Sequence, residues 1–163
     1  MASDTSPFLF QEFAVAPIHT ILLPTDFGPL SEAAFKYACT VARVTAAEVV
    51  LLHVVEPAFV AEVEGVPTPF PTGLLEVAEK RLKNVVLPDS TTKCRHEVRA
   101  GSPVEEIARL ADEFAADLIV MGTHGRHGLS RLLLGSVAEG VLRRVACPVL
   151  FVKEHKKPVE AAA

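Results

Sequence analysis

Tryptophan is absent from this chain of 163 residues and tyrosine occurs once, yet half of the residues are apolar. The core therefore has to be aliphatic, built from Val, Leu, Ile and Ala, in a single domain large enough to need no staples. Basic charge is not in excess: 16 Lys and Arg stand against 20 Asp and Glu, a formal net charge of −4. That balance argues against a nucleic-acid surface. The one dense basic cluster, His155-Lys156-Lys157 with Lys153 nearby, falls in what reads as a solvated tail. No run approaches the roughly 20 apolar residues of a membrane span, and the N-terminus lacks a basic start followed by an apolar signal core. A cytoplasmic protein with no membrane role is the expectation. Cysteine is scarce: Cys39, Cys94 and Cys147 are widely separated and form no C-x-x-C, which suggests reduced thiols rather than a disulfide or zinc framework. Two nucleotide signatures are missing as well. There is no G-x4-G-K-[S/T], and Asp26-Phe27-Gly28-Pro29 cannot supply the G-x-G-x-x-G of a dinucleotide enzyme.

What is present is a regular alternation. Residues 1–16 show no sustained period and read as an N-terminal arm, with Phe8, Phe10 and Phe13 packing on the body or on a second subunit. Thr20 to Leu23 is a short apolar run stopped by Pro24, and Glu48 to Val55 is almost continuously apolar. Continuous apolar character is what a parallel strand covered on both faces requires. Between them, Leu30, Ala33, Ala34, Tyr37, Ala38, Val41 and Ala42 recur at helical spacing. Residues 57–72 break the rhythm with four prolines and a glycine, a long connection of the kind that serves as a lid or contact surface. A second helix carries Leu74, Leu75, Ala78, Leu82, Val85 and Val86, and Cys94 to Val98 alternates as a half-exposed edge strand. Ser102-Pro103-Val104-Glu105 predicts a helix start with a capping box. A strand from Asp117 to Met121, a helix from Ser136 to Arg144 and a strand from Pro148 to Val152 complete the set; 154–163 is a charged, then Ala-rich tail. Five strands alternating with four helices predict an α/β fold: a doubly wound parallel sheet with helices on both faces.

The chemistry is concentrated at Gly122, Gly125, Gly135 and Ser136, spaced G-x2-G-x9-G-S directly after the run Leu118 to Met121. Glycine lets the backbone take positive φ and approach a ligand without a Cβ in the way. Successive N–H groups in such a turn, followed by a helix N-terminus, make a concave patch of positive potential suited to phosphate. In open α/β sheets ligands bind beyond the carboxyl ends of the strands, where strand order reverses. Asp26, at the end of the first strand, then faces the glycine loop across one cleft. Asp26 is also an ordinary capping residue for the following helix, but the facing glycine loop favours a ligand role.

The strand end Leu23-Pro24-Thr25-Asp26-Phe27, the strand Leu51-Leu52-His53-Val54-Val55 and the stretch from Met121 to Val152 resemble the universal stress protein family, over roughly His19 to Lys153. The glycine motif matches the signature of its ATP-binding branch at every specified position. The resemblance implies a five-stranded parallel sheet ordered 3-2-1-4-5, a single domain over 17–153, and a homodimer through the last strand, Val149 to Val152. It implies an ATP site, with Mg or Mn: Asp26 at the adenosine end beside Pro24 and Thr25, Val54 and Met121 in the base pocket, and Gly122 and Gly125 around ribose and phosphates. Gly135, Ser136 and Val137 would hold the phosphate tail. The implied role is a nucleotide-dependent regulatory module in the stress response, with a regulatory protein partner; a slow ATPase and a nucleotide-free scaffold are the alternatives. Gly140 departs from the better helix formers common there, at up to ~1 kcal/mol.

Other signals are weaker. His124 and His127 lack a carboxylate or thiol near in sequence, so no metal site is expected. His53 reads as a satisfied core histidine rather than a catalyst, and no catalytic residue is assigned. Arg126 and Arg131 read equally as phosphate partners and as solvated loop residues, and the leucines from Leu129 to Leu134 as packing beneath the loop.

Overall fold

The structure, a computed structural model, describes residues 16–56, 72–87, 92–124 and 134–153. The expected arm (but for Ala16), the Pro-rich connection (but for Thr72), Gly125 with the loop residues to 133, and the tail from 154 lie outside the described residues.

In chain order the elements are β1 (Thr20–Pro24), α1 (Pro29–Thr45), β2 (Glu48–Val55), α2 (Thr72–Lys83), β3 (Cys94–Ala100), α3 (Pro103–Glu113), β4 (Leu118–Gly122), α4 (Ser136–Leu142) and β5 (Val149–Val152). They form one sheet ordered β3-β2-β1-β4-β5, and every pairing is parallel. This is the expected doubly wound sheet, with β3 and β5 at its edges.

Strand side chains alternate between the two faces, and here both faces are covered. Ile21, Leu23, Val49, Leu51 and Val120 join Ala34, Ala38 and Ala42 of α1 and Leu82 of α2 in one layer. Leu22, Val50, Leu52, Ile119 and Met121 join Ile107 and Leu110 of α3 and Ala138 and Val141 of α4 in the other. That double burial is why β1, β2 and β4 read as unbroken apolar runs.

Several local expectations are corrected. Tyr37 is 53% exposed and Leu74 is exposed as well, on helix faces turned away from the sheet, while Val85 and Val86 lie beyond the end of α2 at Lys83, with Val86 exposed. Ser102 takes the N-cap position of α3 with Pro103 following, but its side chain makes no capping hydrogen bond. The Glu105 carboxylate instead lies 3.6 Å from Arg144. Gly140 is no mere departure from good helix composition: a Cβ there would come within 2.7 Å of Val104 Cγ2. The missing side chain is what lets α4 lie close on α3.

Candidate functional site

β1 and β4 are neighbours at the centre of the sheet, and α1 and α4 leave from their carboxyl ends. Their divergence opens a cavity of about 640 Å³. Of the residues singled out in the sequence, Pro24, Thr25, Asp26, Val54, Met121, Gly122, Gly135, Ser136 and Val137 all line it; Gly125 lies outside the described residues.

The β1 side is a hydrogen-bonded turn. Asp26 Oδ1 accepts from the Gly28 amide (2.9 Å) and from the Ser31 hydroxyl (2.5 Å), so the carboxylate organises the start of α1 from two residues before its N-cap, Gly28. Phe27, with φ 60°, holds the left-handed conformation that costs a non-glycine residue roughly 1 kcal/mol. Its amide donates to Thr25 Oγ1 (3.0 Å), its ring centroid lies 4.5 Å from that of His53, and the Arg81 guanidinium carbon sits 4.1 Å from the Phe27 ring centroid. His53 Nδ1 is 2.7 Å from the Thr25 carbonyl; a carbonyl only accepts, so Nδ1 carries the proton. His53 is therefore the satisfied histidine expected, and it pins the turn that presents Asp26.

The β4 side is built from backbone. The Thr123 amide donates to the Val152 carbonyl (3.1 Å), and the Gly135 amide to the Thr123 carbonyl (2.8 Å). The chain thus leaves and rejoins the site at one point, on either side of the loop. Positive φ does not explain the glycines here: Gly101 is the glycine that has it among the described residues, and Gly135 sits at φ −64°, ψ 153°. At Gly122 the reason is packing, since a Cβ would approach Leu30 Cβ to 2.9 Å and the Leu30 backbone carbon to 3.3 Å. That Cβ would point at α1, which corrects the expectation that it would fill phosphate space. With only seven residues in α4, helix polarity adds little, and anion binding would rest on loop N–H groups. Leu134 packs against the α3–α4 core layer.

Sequence reasoning missed several lining residues: Ser31, Glu56, Pro103, Ile107, Thr123 and His124. Thr123 and His124 sit inside the G-x2-G motif, which was the available signal; Pro103 and Ile107 come from α3, which carries no motif. His124 Nδ1 is 3.0 Å from Thr123 Oγ1, and its buried Nε2 has no partner. Asp26 and Glu56 supply carboxylates, and no Lys or Arg is among the described lining residues. No group of three or more His, Cys, Asp or Glu able to hold a metal occurs among the described residues. Among the same residues no helix is long and apolar enough to cross a membrane.

With this geometry in hand, comparison with known proteins is direct. The universal stress protein family profile matches residues 17–153. Universal stress protein MJ0531 of Methanocaldococcus jannaschii is 40% identical over 144 residues, covering 84% of this chain and 83% of the relative. Universal stress protein MJ0577 of the same organism is 33% identical over 151 residues, covering 82% and 93%. The solved structure of MJ0577 superposes with a TM-score of 0.75 at 35% identity, over 86% of this chain and 99% of that one. A universal stress protein solved in complex with cAMP superposes at 0.58 with 27% identity, over 86% and 100%. The chain belongs to the universal stress protein family.

Proposed function

We propose that the cavity between β1 and β4 binds an adenine nucleotide, ATP with Mg²⁺ or Mn²⁺, and that occupancy makes the protein a cytoplasmic regulatory module of the stress response. The single observation that carries this reading is the convergence of Asp26, Val54, Met121, Gly122, Gly135 and Ser136 on one cavity of about 640 Å³, within the range of small-molecule sites. The relative solved with cAMP supports a nucleotide as the class of ligand. Asp26 and Val54 would meet the adenosine end, Met121 would face the base, and the backbone at Gly122, Gly125, Gly135, Ser136 and Val137 would hold the phosphates.

Three or more metal-ligating side chains do not gather among the described residues, so a divalent cation would arrive with the nucleotide, held by its phosphate oxygens, whose charge it would neutralise. This chain's own part is to orient the nucleotide and to shield it between the α3 wall, Pro103 and Ile107, and the β1 turn. Turnover is expected to be slow at most, because no Lys or Arg among the described lining residues meets charge at a γ-phosphate.

A homodimer through β5, an edge strand of the sheet among the described residues, completes the proposal, since an apolar edge strand calls for a partner; a regulatory protein would read the nucleotide state. Calorimetric titration with Mg-ATP, with analysis of nucleotide released on denaturation, tests the site. Micromolar binding or co-purified adenine nucleotide supports it. An empty protein that binds neither ATP nor cAMP overturns it in favour of a scaffold.

A further inference from the structure

Along β2 the side chains alternate strictly by layer. Val50, Leu52 and Val54 face the α3–α4 side, Val49 and Leu51 the α1–α2 side. The ladder with β3 runs to the top of the strand, where Val55 stands opposite Ala100 and its carbonyl accepts from the Gly101 amide (3.1 Å). Glu56 comes next, so strand parity turns its side chain to the α3–α4 side, and it lines the cavity there. It is exposed, and among the described residues its carboxylate has no hydrogen-bond or ion-pair partner. Asp26, the other lining carboxylate, is committed to the Gly28 amide and the Ser31 hydroxyl.

The two carboxylates also differ in height. Leu52 stands opposite Pro24, where β1 ends and the chain turns toward α1. β2 carries on from that level for four residues, roughly 13 Å at the rise of a strand, which puts Glu56 at the rim. The floor below is apolar: Leu52, Val54, Ile107 and Met121. Gly122, at the end of β4, lies two strands to the side, roughly 10 Å away. A nucleotide with its base on Val54 and its phosphates beside Gly122 has its sugar between them. Turned to the floor, the 2′- and 3′-hydroxyls of that sugar would lie unpaired against hydrocarbon, which is unfavourable. Turned to the rim, they meet Glu56, whose two acceptor oxygens match the two adjacent O–H donors of a cis-diol.

We propose that Glu56 reads the ribose diol, and that it selects nucleotides with free 2′- and 3′-hydroxyls over deoxy and 3′,5′-cyclic ones; the inference rests on the nucleotide reading of this cavity and deepens it. A 2′-deoxy or 3′-deoxy sugar leaves one carboxylate oxygen without its donor. A 3′,5′-cyclic phosphate ties up the 3′-oxygen and sets a negative charge beside Glu56. Water at the rim replaces a lost donor in part. Discrimination is therefore about 10-fold, well below the roughly 10⁴-fold of an enclosed polar site. Distance from the phosphates matters equally, because no Lys or Arg among the described lining residues would offset a carboxylate placed next to them.

Calorimetric titration of the full chain with ATP, 2′-deoxy-ATP and 3′-deoxy-ATP, each with Mg²⁺, and with AMP and cAMP tests the assignment in wild type, Glu56→Gln and Glu56→Ala. Wild type should bind ATP about 10-fold tighter than either deoxy analogue, and AMP tighter than cAMP. In Glu56→Ala, ATP should weaken to the level of the analogues while their own affinities hold, and cAMP should bind tighter than it does to wild type. General damage to the site does not produce a gain for one ligand. Glu56→Gln, whose amide oxygen still accepts, should keep part of the preference for ATP. A wild type that binds none of the five ligands overturns the nucleotide reading, and the role of Glu56 falls with it. Equal affinity of the wild type for ATP and its deoxy analogues overturns the role of Glu56 alone. So does a preference for ATP that survives intact in Glu56→Ala, or a variant that loses all five ligands together.

Discussion

At the end of β1 the cavity wall is held by polar side chains: Asp26 accepts from the Gly28 amide and the Ser31 hydroxyl, and His53 secures the Thr25 carbonyl. Across the cavity, where β4 hands over to α4, the wall is held by side chains that are missing. Gly122 lets β4 lie against Leu30, and Gly140 lets α4 lie against Val104. The first wall depends on its hydrogen-bonding groups. The second depends on volume that is left out. Mutations that look alike on paper should therefore act differently on the two sides.

The largest effect is expected at Gly122. Valine there drives a branched side chain into Leu30 Cβ and the backbone behind it, and overpacking of this kind costs about 3 kcal/mol. Denaturant midpoints at unchanged m-value would measure it. Wild-type stability in Gly122→Val would mean that β4 and α1 can separate freely, and the contrast between the walls would collapse. Loss of nucleotide binding in this variant would not by itself implicate the ligand, because the fold is strained first.

Gly140 sharpens the comparison by setting two effects of opposite sign against each other. Alanine gains roughly 1 kcal/mol of helix propensity but places its Cβ 2.7 Å from Val104 Cγ2, a stiff β-branched side chain on a helix. The clash should win, for a net loss of about 1–2 kcal/mol. In a Val104→Ala background the same substitution should become neutral or stabilising, a coupling of about 1–3 kcal/mol in a double-mutant cycle. Additive behaviour would refute the close approach of α3 and α4. On the other wall, Asp26→Ala removes an acceptor from Gly28 N–H and Ser31 Oγ, with an expected loss of about 1–2 kcal/mol; no loss would mean that water replaces the carboxylate at no cost.

How much of this was legible in the sequence follows from the same division. The unbroken apolar runs of β1, β2 and β4 exist because both faces are buried, so strand identity and parallel topology could be read directly. The β1 turn was legible in part: Thr25 and Asp26 stood out at the strand end, but Ser31, whose hydroxyl donates to Asp26 from within the first turn of α1, did not. What a glycine is for was not legible, because the atom that excludes its Cβ belongs to an element distant in sequence: Leu30 for Gly122, Val104 for Gly140. The same holds for Pro103 and Ile107, which look like ordinary residues of a core-facing helix until α3 is seen to form a cavity wall. Tyr37 was misplaced because periodicity reports an apolar flank without saying how much of it the sheet covers.

The smallest effect lies at the opposite end of β1, where the hydrogen-bonding device of Asp26 recurs in a more exposed setting. Asp117 accepts from the amides of His19 (2.8 Å) and Thr20 (3.0 Å), tying the first residue of β1 and the one before it to the segment that precedes β4. These two backbone hydrogen bonds lower its pKa below the ordinary 3.8. A carboxylate whose folded pKa lies below its unfolded one contributes stability above the unfolded value, and that contribution fades as pH falls through the folded value. Asp117→Asn should therefore be slightly less stable than wild type near neutrality, with the gap closing as pH falls below about 4. Paired denaturation curves from pH ~6 to ~3 would show it. A gap that stays constant over that range would mean the two amides are held as well by a neutral oxygen, and that charge at this end of β1 adds nothing.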